Sequence, residues 1–166
     1  MLLKRPMTAR DHFDMDSRAM IQLTLQVASQ EVVPKIVDYF NQTVIGLHLK
    51  QEGENLVVHN DKLPIFQIPN TYRTKTLQGV ATYVGQNCCL PFSQSLASIS
   101  VGEKVVVLNI VHSISDGGYF KLLVHGFLNG IYPFNNQLAP FPVTSPELYP
   151  KEIARAPSGL FGWGKG

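Results

Sequence analysis

The chain has 166 residues, of which 45% are hydrophobic and 16% are charged, and its formal net charge is +2. This balance indicates one soluble globular domain with its own core and excludes a disordered chain. Because no block of five or more like charges occurs, nucleic acid is excluded as the main partner.

The cysteines and the N-terminal segment give evidence on the cellular location of the protein. Cys88 and Cys89 are adjacent, so they cannot form an ordinary structural disulfide with each other or clamp a metal at the usual paired spacing. Residues 1–16 soon become charged and contain neither a signal-peptide core nor a span of about 20 apolar residues. We therefore expect a cytoplasmic protein without a membrane span.

The first half of the chain combines strand and helix signals. Residues 20–28 alternate apolar and polar side chains, as a strand with one face in water does. Residues 31–44 carry apolar side chains at helical spacing, with Pro34 in the predicted first turn. Residues 47–59 predict a hairpin of two edge strands around Gly53, because glycine supplies the positive φ of a tight turn.

The second half adds a helix and a strand pair. A helix is predicted over about 72–84, capped by Asn70 or Thr71. Two strands follow at 95–101 and 104–111. The second of them lacks alternation, which indicates a central strand covered on both faces.

The predicted domain covers residues 1–130. Residues 131–166 contain six of the eleven prolines, a density that forbids a long helix or a central strand. We predict that this segment is a Pro/Gly-rich C-terminal extension or a truncated linker that makes few core contacts.

The most distinctive local pattern is a buried strand that ends on a histidine. His112 follows the apolar strand, and Asp116 and two glycines then open a helix that ends at Gly130. A histidine titrates near neutral pH, so at the edge of a sheet it can take a proton from a reacting group and return it. In a simpler interpretation, Ser115 or Asp116 only caps the helix and His112 is a satisfied histidine. The spacing alone leaves both open.

The segment 112-HSISDG-117 resembles the HxxxDG motif of the acyl-CoA-dependent acyltransferase superfamily, which includes chloramphenicol acetyltransferase, condensation domains and alcohol acetyltransferases. Pro91-Phe92 is similar to the "pF" segment before the hairpin of that superfamily, and residues 4–13 resemble the start of alcohol acetyltransferases. The resemblance spans about residues 4–130. It implies an α/β fold, an α+β sandwich with a mixed β-sheet and flanking helices, like chloramphenicol acetyltransferase.

The resemblance also implies a reaction. An acyl group would pass from a coenzyme A or carrier-protein thioester to a small alcohol or amine, with acyl-CoA as co-substrate and no bound cofactor. By motif position, His112 is the general base and Asp116 orients the loop through a salt bridge to an arginine. Gly117 keeps the substrate channel open.

Two positions depart from the superfamily pattern. Val111 stands where many members have a second histidine, as in the plant-type enzymes. No arginine matches the usual partner of Asp116, so Lys50, His48 or Arg73 is expected to take that place.

The two-domain members of the superfamily are much longer, and their C-terminal half supplies the second wall of the channel. We therefore expect a homo-oligomer or a missing C-terminal half to complete the active site. The alternative is a non-catalytic remnant or fragment that binds an acyl group or a partner.

Metal sites are not expected. Of the candidate set His112, Asp116 and His125, the last falls on the polar face of its predicted helix. His12 lies among aspartates at positions 11, 14 and 16, but their irregular spacing predicts a solvated, loop-like segment.

Overall fold

A computed structural model describes residues 4–72 and 76–130. It contains seven strands and four helices in these ranges, together with short 3-10 turns at Ile45–His48, Asn70–Tyr72 and His112–Ile114. In chain order the strands and helices are β1 (Lys4–Pro6), α1 (Ala9–Asp16), β2 (Met20–Gln26), α2 (Val32–Thr43), β3 (Leu49–Glu52), β4 (Asn55–Val58), β5 (Phe66–Gln67), α3 (Leu77–Asn87), β6 (Ala97–Val101), β7 (Val105–Val111) and α4 (Gly117–Asn129).

The larger sheet is four-stranded and mixed, in the order β2-β7-β6-β5. Strand β7 pairs antiparallel with β2 and β6, and only β5 runs parallel to its neighbour β6. The side chains from Val106 to Val111 are all buried, because helices cover both faces of this strand. The prediction of a central strand followed closely by a helix is confirmed.

A second, three-stranded antiparallel sheet has the order β1-β4-β3. The predicted hairpin is present, and Gly53 has φ 59° in its turn. The prediction that both arms are edge strands is wrong, because β1 pairs with β4 and places it in the centre. The chain at Leu47 and His48 forms a 3-10 turn instead of strand.

The helices enclose two apolar clusters on opposite faces of β7. Helix α2 contributes Ile36 and Phe40 to the main core, which contains Leu108 and Ile110 of β7. The hydroxyl of Tyr39 in α2 donates a hydrogen bond to the carbonyl of Leu123 in α4, with an O–O distance of 2.9 Å. This bond fixes the helix that follows the predicted motif.

Helix α3 covers the other face through Val80 and Val84, which contact Val107. Its boundaries correct the sequence prediction: it begins at Leu77, capped by Thr76, whereas Asn70–Tyr72 form a 3-10 turn. The Thr76 hydroxyl accepts a hydrogen bond from the Gly79 N–H at 3.1 Å, which satisfies one free donor of the first turn. The predictions for residues 131–166 lie outside the described residues.

Within residues 4–72 and 76–130, no helix is long and apolar enough to cross a bilayer. The longest, α4, has 13 residues.

We expect the free energy of unfolding to fall as the pH drops below 6.5, because His59 is buried. Burial lowers the pKa of His59 below its ordinary 6.5; Asp61 opposes this shift, and Lys50 and His48 add to it. The Nδ1 atom accepts a hydrogen bond from the Asp61 N–H at 3.1 Å, which also favours the neutral ring.

As the pH falls, the unfolded chain therefore binds a proton first. The contribution of His59 to the free energy of unfolding is fully present above about pH 6.5. It declines as the pH falls from there to the folded-state pKa, with a slope of at most about 1.4 kcal/mol per pH unit. Urea unfolding at about pH 7.5 and 5.5, for the wild type and for His59→Gln, measures this contribution. Equal pH dependence in the two proteins would show that another group is responsible.

Candidate active site

His112 lies where the central strand of the larger sheet ends. It is the first residue of the 3-10 turn after β7, and its side chain is half-buried. Its backbone N–H donates to the carbonyl of Ala19 at 2.8 Å, so the turn is tied to the residue before β2. The histidine thus stands on rigid elements while its ring remains accessible.

One hydrogen bond determines the proton distribution on the His112 ring. The Nδ1 atom lies 2.9 Å from the backbone carbonyl oxygen of Ser115. A carbonyl can only accept, so Nδ1 carries the proton in the neutral ring and Nε2 holds the free electron pair. This is the tautomer that a general base needs if the substrate approaches Nε2.

Asp116 acts as the N-cap of α4. Its Oδ1 accepts a hydrogen bond from the Tyr119 N–H at 2.8 Å, and its backbone carbonyl accepts one from Phe120. This confirms that Asp116, one of the two cap candidates in the sequence, caps α4. The side chain is exposed, and within the described ranges it has no ion pair.

Two of the cations expected to pair with Asp116 are engaged elsewhere. The ring of His48 is hydrogen-bonded through Nε2 to the carbonyl of Asn41 at 2.6 Å, and Lys50 Nζ lies 3.2 Å from the carboxylate of Asp61. The third, Arg73, lies outside the described residues. The expected pairing with His48 or Lys50 is therefore corrected: Asp116 holds the loop through helix capping.

Gly117 is the first residue of α4. A Cβ atom at this position would meet no atom within 4 Å, and the backbone is not in the left-handed region. Neither packing nor backbone conformation in the described ranges therefore requires a glycine here.

We predict that Gly117→Ala keeps or raises stability by up to about 1 kcal/mol, because alanine loses less chain entropy in a helix. If the glycine keeps a substrate route open, the same variant lowers kcat/KM. Thermal unfolding and acyl-transfer kinetics on one preparation separate the two effects. Unchanged kinetics with small and bulky acceptors would refute the channel role.

The acidic segment around His12 is a helix, which corrects the prediction of a solvated loop. Asp11 and Asp14 in α1 are only 1% and 2% exposed, because each pairs with an arginine. Burial opposes ionisation of Asp11, but bonds from Arg5 and Thr8 prevail and lower its pKa. His12 itself is half-exposed and lies 3.1 Å from Glu54.

The Arg5–Asp11 pair is a feature that the sequence interpretation missed. Helix α1, which contains Asp11, packs against the His112 turn. A signal was available: Thr8 and Asp11 have the spacing of a capping box, and both reciprocal hydrogen bonds are present.

His125 is exposed on α4, as predicted, and among the described residues its hydrogen bonds are with Asn129 of the same helix. In the part of the chain that the structure describes, no three His, Cys, Asp or Glu side chains are grouped as metal ligands would be.

A cavity among the described residues lies away from this site. Its volume is about 290 Å³, and it is lined by Ile68, Tyr72 and Val105, among others. Val105 begins β7 and His112 follows its end, so the cavity and the histidine are at opposite ends of the central strand.

The chain shares its α/β fold with condensation domains. One solved structure with this likeness is that of the condensation domain that mediates chain release from the enacyloxin polyketide synthase, with a TM-score of 0.53 and 15% identity. The match covers 76% of this chain and 30% of that chain. No protein-family model and no curated protein matches the sequence.

Proposed function

We propose that the chain carries the general base of an acyltransferase, which moves an acyl group from a coenzyme A or carrier-protein thioester to an alcohol or amine. The observation that carries the proposal is the His112 ring, with Nδ1 bonded to the Ser115 carbonyl and Nε2 left as an acceptor. The fold likeness to a condensation domain supports the same class of chemistry.

In the proposed reaction, His112 moves one proton. Nε2 of His112 takes the proton of the acceptor hydroxyl or amine while its oxygen or nitrogen attacks the thioester carbonyl carbon. A C–O or C–N bond forms and the carbonyl oxygen becomes an oxyanion. When this intermediate collapses, the C–S bond breaks, and the proton on Nε2 passes to the leaving sulfur. The ring returns to its starting state, and acyl-CoA is consumed as a co-substrate.

Asp116 and Gly117 have supporting roles in this proposal. Asp116 fixes the start of α4 and thereby the loop that supplies the Ser115 carbonyl. Gly117 leaves the space beside the helix N-terminus open to substrate.

A second protein surface would raise the activity. His112 is half-buried among the described residues, and water beside a forming oxyanion weakens its electrostatic stabilisation. We expect a second copy of the chain, or a C-terminal half, to cover the exposed side of His112 and position the thioester. The alternative is a non-catalytic remnant or fragment that binds an acyl group or a partner.

Thiol release from acetyl-CoA, followed over a panel of small alcohols and amines, tests the proposal. The mass in solution is measured on the same sample, so that turnover can be related to the oligomeric state. Thiol release that depends on the acceptor supports acyl transfer. Binding of acyl-CoA without turnover in any assembly would support the non-catalytic alternative.

A further inference from the structure

Arg18 occupies a backbone position that usually belongs to glycine. It follows Ser17, the C-cap of α1, and its φ of 53° lies in the left-handed region. The Arg18 N–H donates to the Met15 carbonyl at 3.2 Å, and the Ala19 N–H donates to the Asp14 carbonyl at 2.7 Å. These two bonds form a Schellman motif, in which the left-handed residue is usually glycine because a Cβ atom is unfavourable there. An arginine at this position therefore carries backbone strain, and such strain is concentrated at functional sites.

The Arg18 side chain lies over an aromatic ring and leaves its hydrogen-bond donors unused. The guanidinium carbon is 5.2 Å from the centroid of the Phe92 ring, which is within the range of a cation–π contact. Within residues 4–72 and 76–130 the guanidinium has no hydrogen bond and no ion pair, and the residue is exposed. The planar set of N–H donors in a guanidinium matches the oxygens of a carboxylate or a phosphate. Arg18 is thus a cation, supported by Phe92, that can receive an anion from solvent.

This cation lies at the same end of the larger sheet as His112. Ala19 follows Arg18 in the chain, and its carbonyl accepts the hydrogen bond from the His112 N–H at 2.8 Å. Met20, the first residue of β2, is paired with Val111, the last residue of β7. The backbone segments that carry the Arg18 guanidinium and the His112 ring are therefore hydrogen-bonded to each other.

We propose that Arg18 binds a phosphate group of the acyl-thioester donor and so helps to place the thioester beside His112. This deepens the proposed acyltransferase function and rests on it for the identity of the anion. Coenzyme A and the phosphopantetheine group of a carrier protein both carry a phosphate at the end of the pantetheine arm that is remote from the sulfur. An arginine on a segment bonded to the His112 turn suits the binding of that phosphate, because arginine binds phosphate oxygens through two parallel N–H donors. Arg18 takes no part in the proton transfer.

Donors with and without a phosphate test this proposal. The full chain is titrated calorimetrically with acetyl-CoA, acetyl-phosphopantetheine and acetyl-pantetheine, in the absence of an acceptor. The wild type should bind the two phosphate donors about 5- to 30-fold more tightly than acetyl-pantetheine, as expected for one charge-assisted contact. Arg18→Gln should remove most of this ratio, and Arg18→Lys should keep part of it. A ratio that Arg18→Gln lowers for both phosphate donors supports the phosphate that they share, whereas one lowered for acetyl-CoA alone supports the phosphates of its nucleotide.

Arg18→Gly separates a role in binding from a role in the fold. Glycine relieves the left-handed backbone, so this variant should unfold about 1–4 °C above Arg18→Gln, which lacks the guanidinium but keeps the strain. Both variants should bind the phosphate donors equally weakly. An arginine that only covers Phe92 and the C-terminal end of α1 would leave the affinities unchanged. Lys104→Gln removes an exposed cation at the opposite end of β7 and should bind as the wild type does, which controls for the change in net charge.

The proposal is overturned if the wild type binds no phosphate donor more tightly than acetyl-pantetheine, if Arg18→Gln keeps the wild-type ratio, or if Lys104→Gln loses as much affinity. Where the chain is active, Arg18→Gln should raise KM for acetyl-CoA and leave kcat little changed. The titrations need no turnover. Binding that depends on Arg18 without thiol release would therefore reject the acyltransferase and leave the phosphate site intact. Thiol release with an unchanged ratio in Arg18→Gln would reject the phosphate site and leave the acyltransferase intact.

Discussion

Replacing His112 by alanine is expected to lower kcat/KM for acyl transfer by about 10²- to 10⁴-fold, because proton transfer to the acceptor is lost. The free energy of unfolding should change by less than about 1 kcal/mol, since His112 is half-buried and its ring makes one hydrogen bond among the described residues, to the Ser115 carbonyl. Thiol release and urea unfolding on the same preparation measure the two quantities.

His125→Ala provides the control for removal of a histidine, because His125 is exposed on α4. It should keep both the activity and the stability of the wild type. A His112→Ala protein that is as active as the wild type would show that the motif assignment is wrong. A loss of activity that accompanies a large loss of stability would instead assign His112 to the fold.

The part of the site that sequence could predict depends on strong local patterns. The uninterrupted apolar run of β7 indicated a strand buried on both faces, and the aspartate after His112 indicated a helix start. Both features follow from residues close in sequence, so their prediction required no knowledge of the tertiary structure. The tautomer of His112 could not be predicted, because it depends on the backbone path that brings the Ser115 carbonyl to Nδ1.

The parts that were missed depend on contacts distant in sequence. Strand β1 has three residues, including Pro6, and it exists because it pairs with β4, some fifty residues later. Helix α1 is short and rich in charge, so it shows little apolar periodicity, and its buried aspartates are tolerated only beside arginines. The hydrophobicity pattern of the sequence does not reveal such pairings.

Gly46 should prove to be the glycine least tolerant of a side chain in the main core. It lies in the 3-10 turn before β3, and a Cβ atom there would be 2.7 and 2.9 Å from Cδ1 and Cγ1 of Ile110 and 3.1 Å from Cβ of Ala97. Ile110 and Ala97 face each other across β7 and β6 and are fully buried, so neither can move into solvent. Gly46→Ala is therefore expected to lower the free energy of unfolding by about 1–3 kcal/mol.

Urea unfolding of two further variants gives this prediction its controls. Gly85→Ala is a matched substitution on the exposed face of α3, where the nearest atom would be 3.7 Å away, and alanine should stabilise that helix by about 0.5–1 kcal/mol. Ile110→Val removes the Cδ1 methyl, so adding it to Gly46→Ala should cost less than it does in the wild type, although the Cγ1 contact remains. If Gly46→Ala were as stabilising as Gly85→Ala, the turn would not be packed tightly against β7. A large loss of stability would instead show that the turn packs tightly against Ile110 of β7.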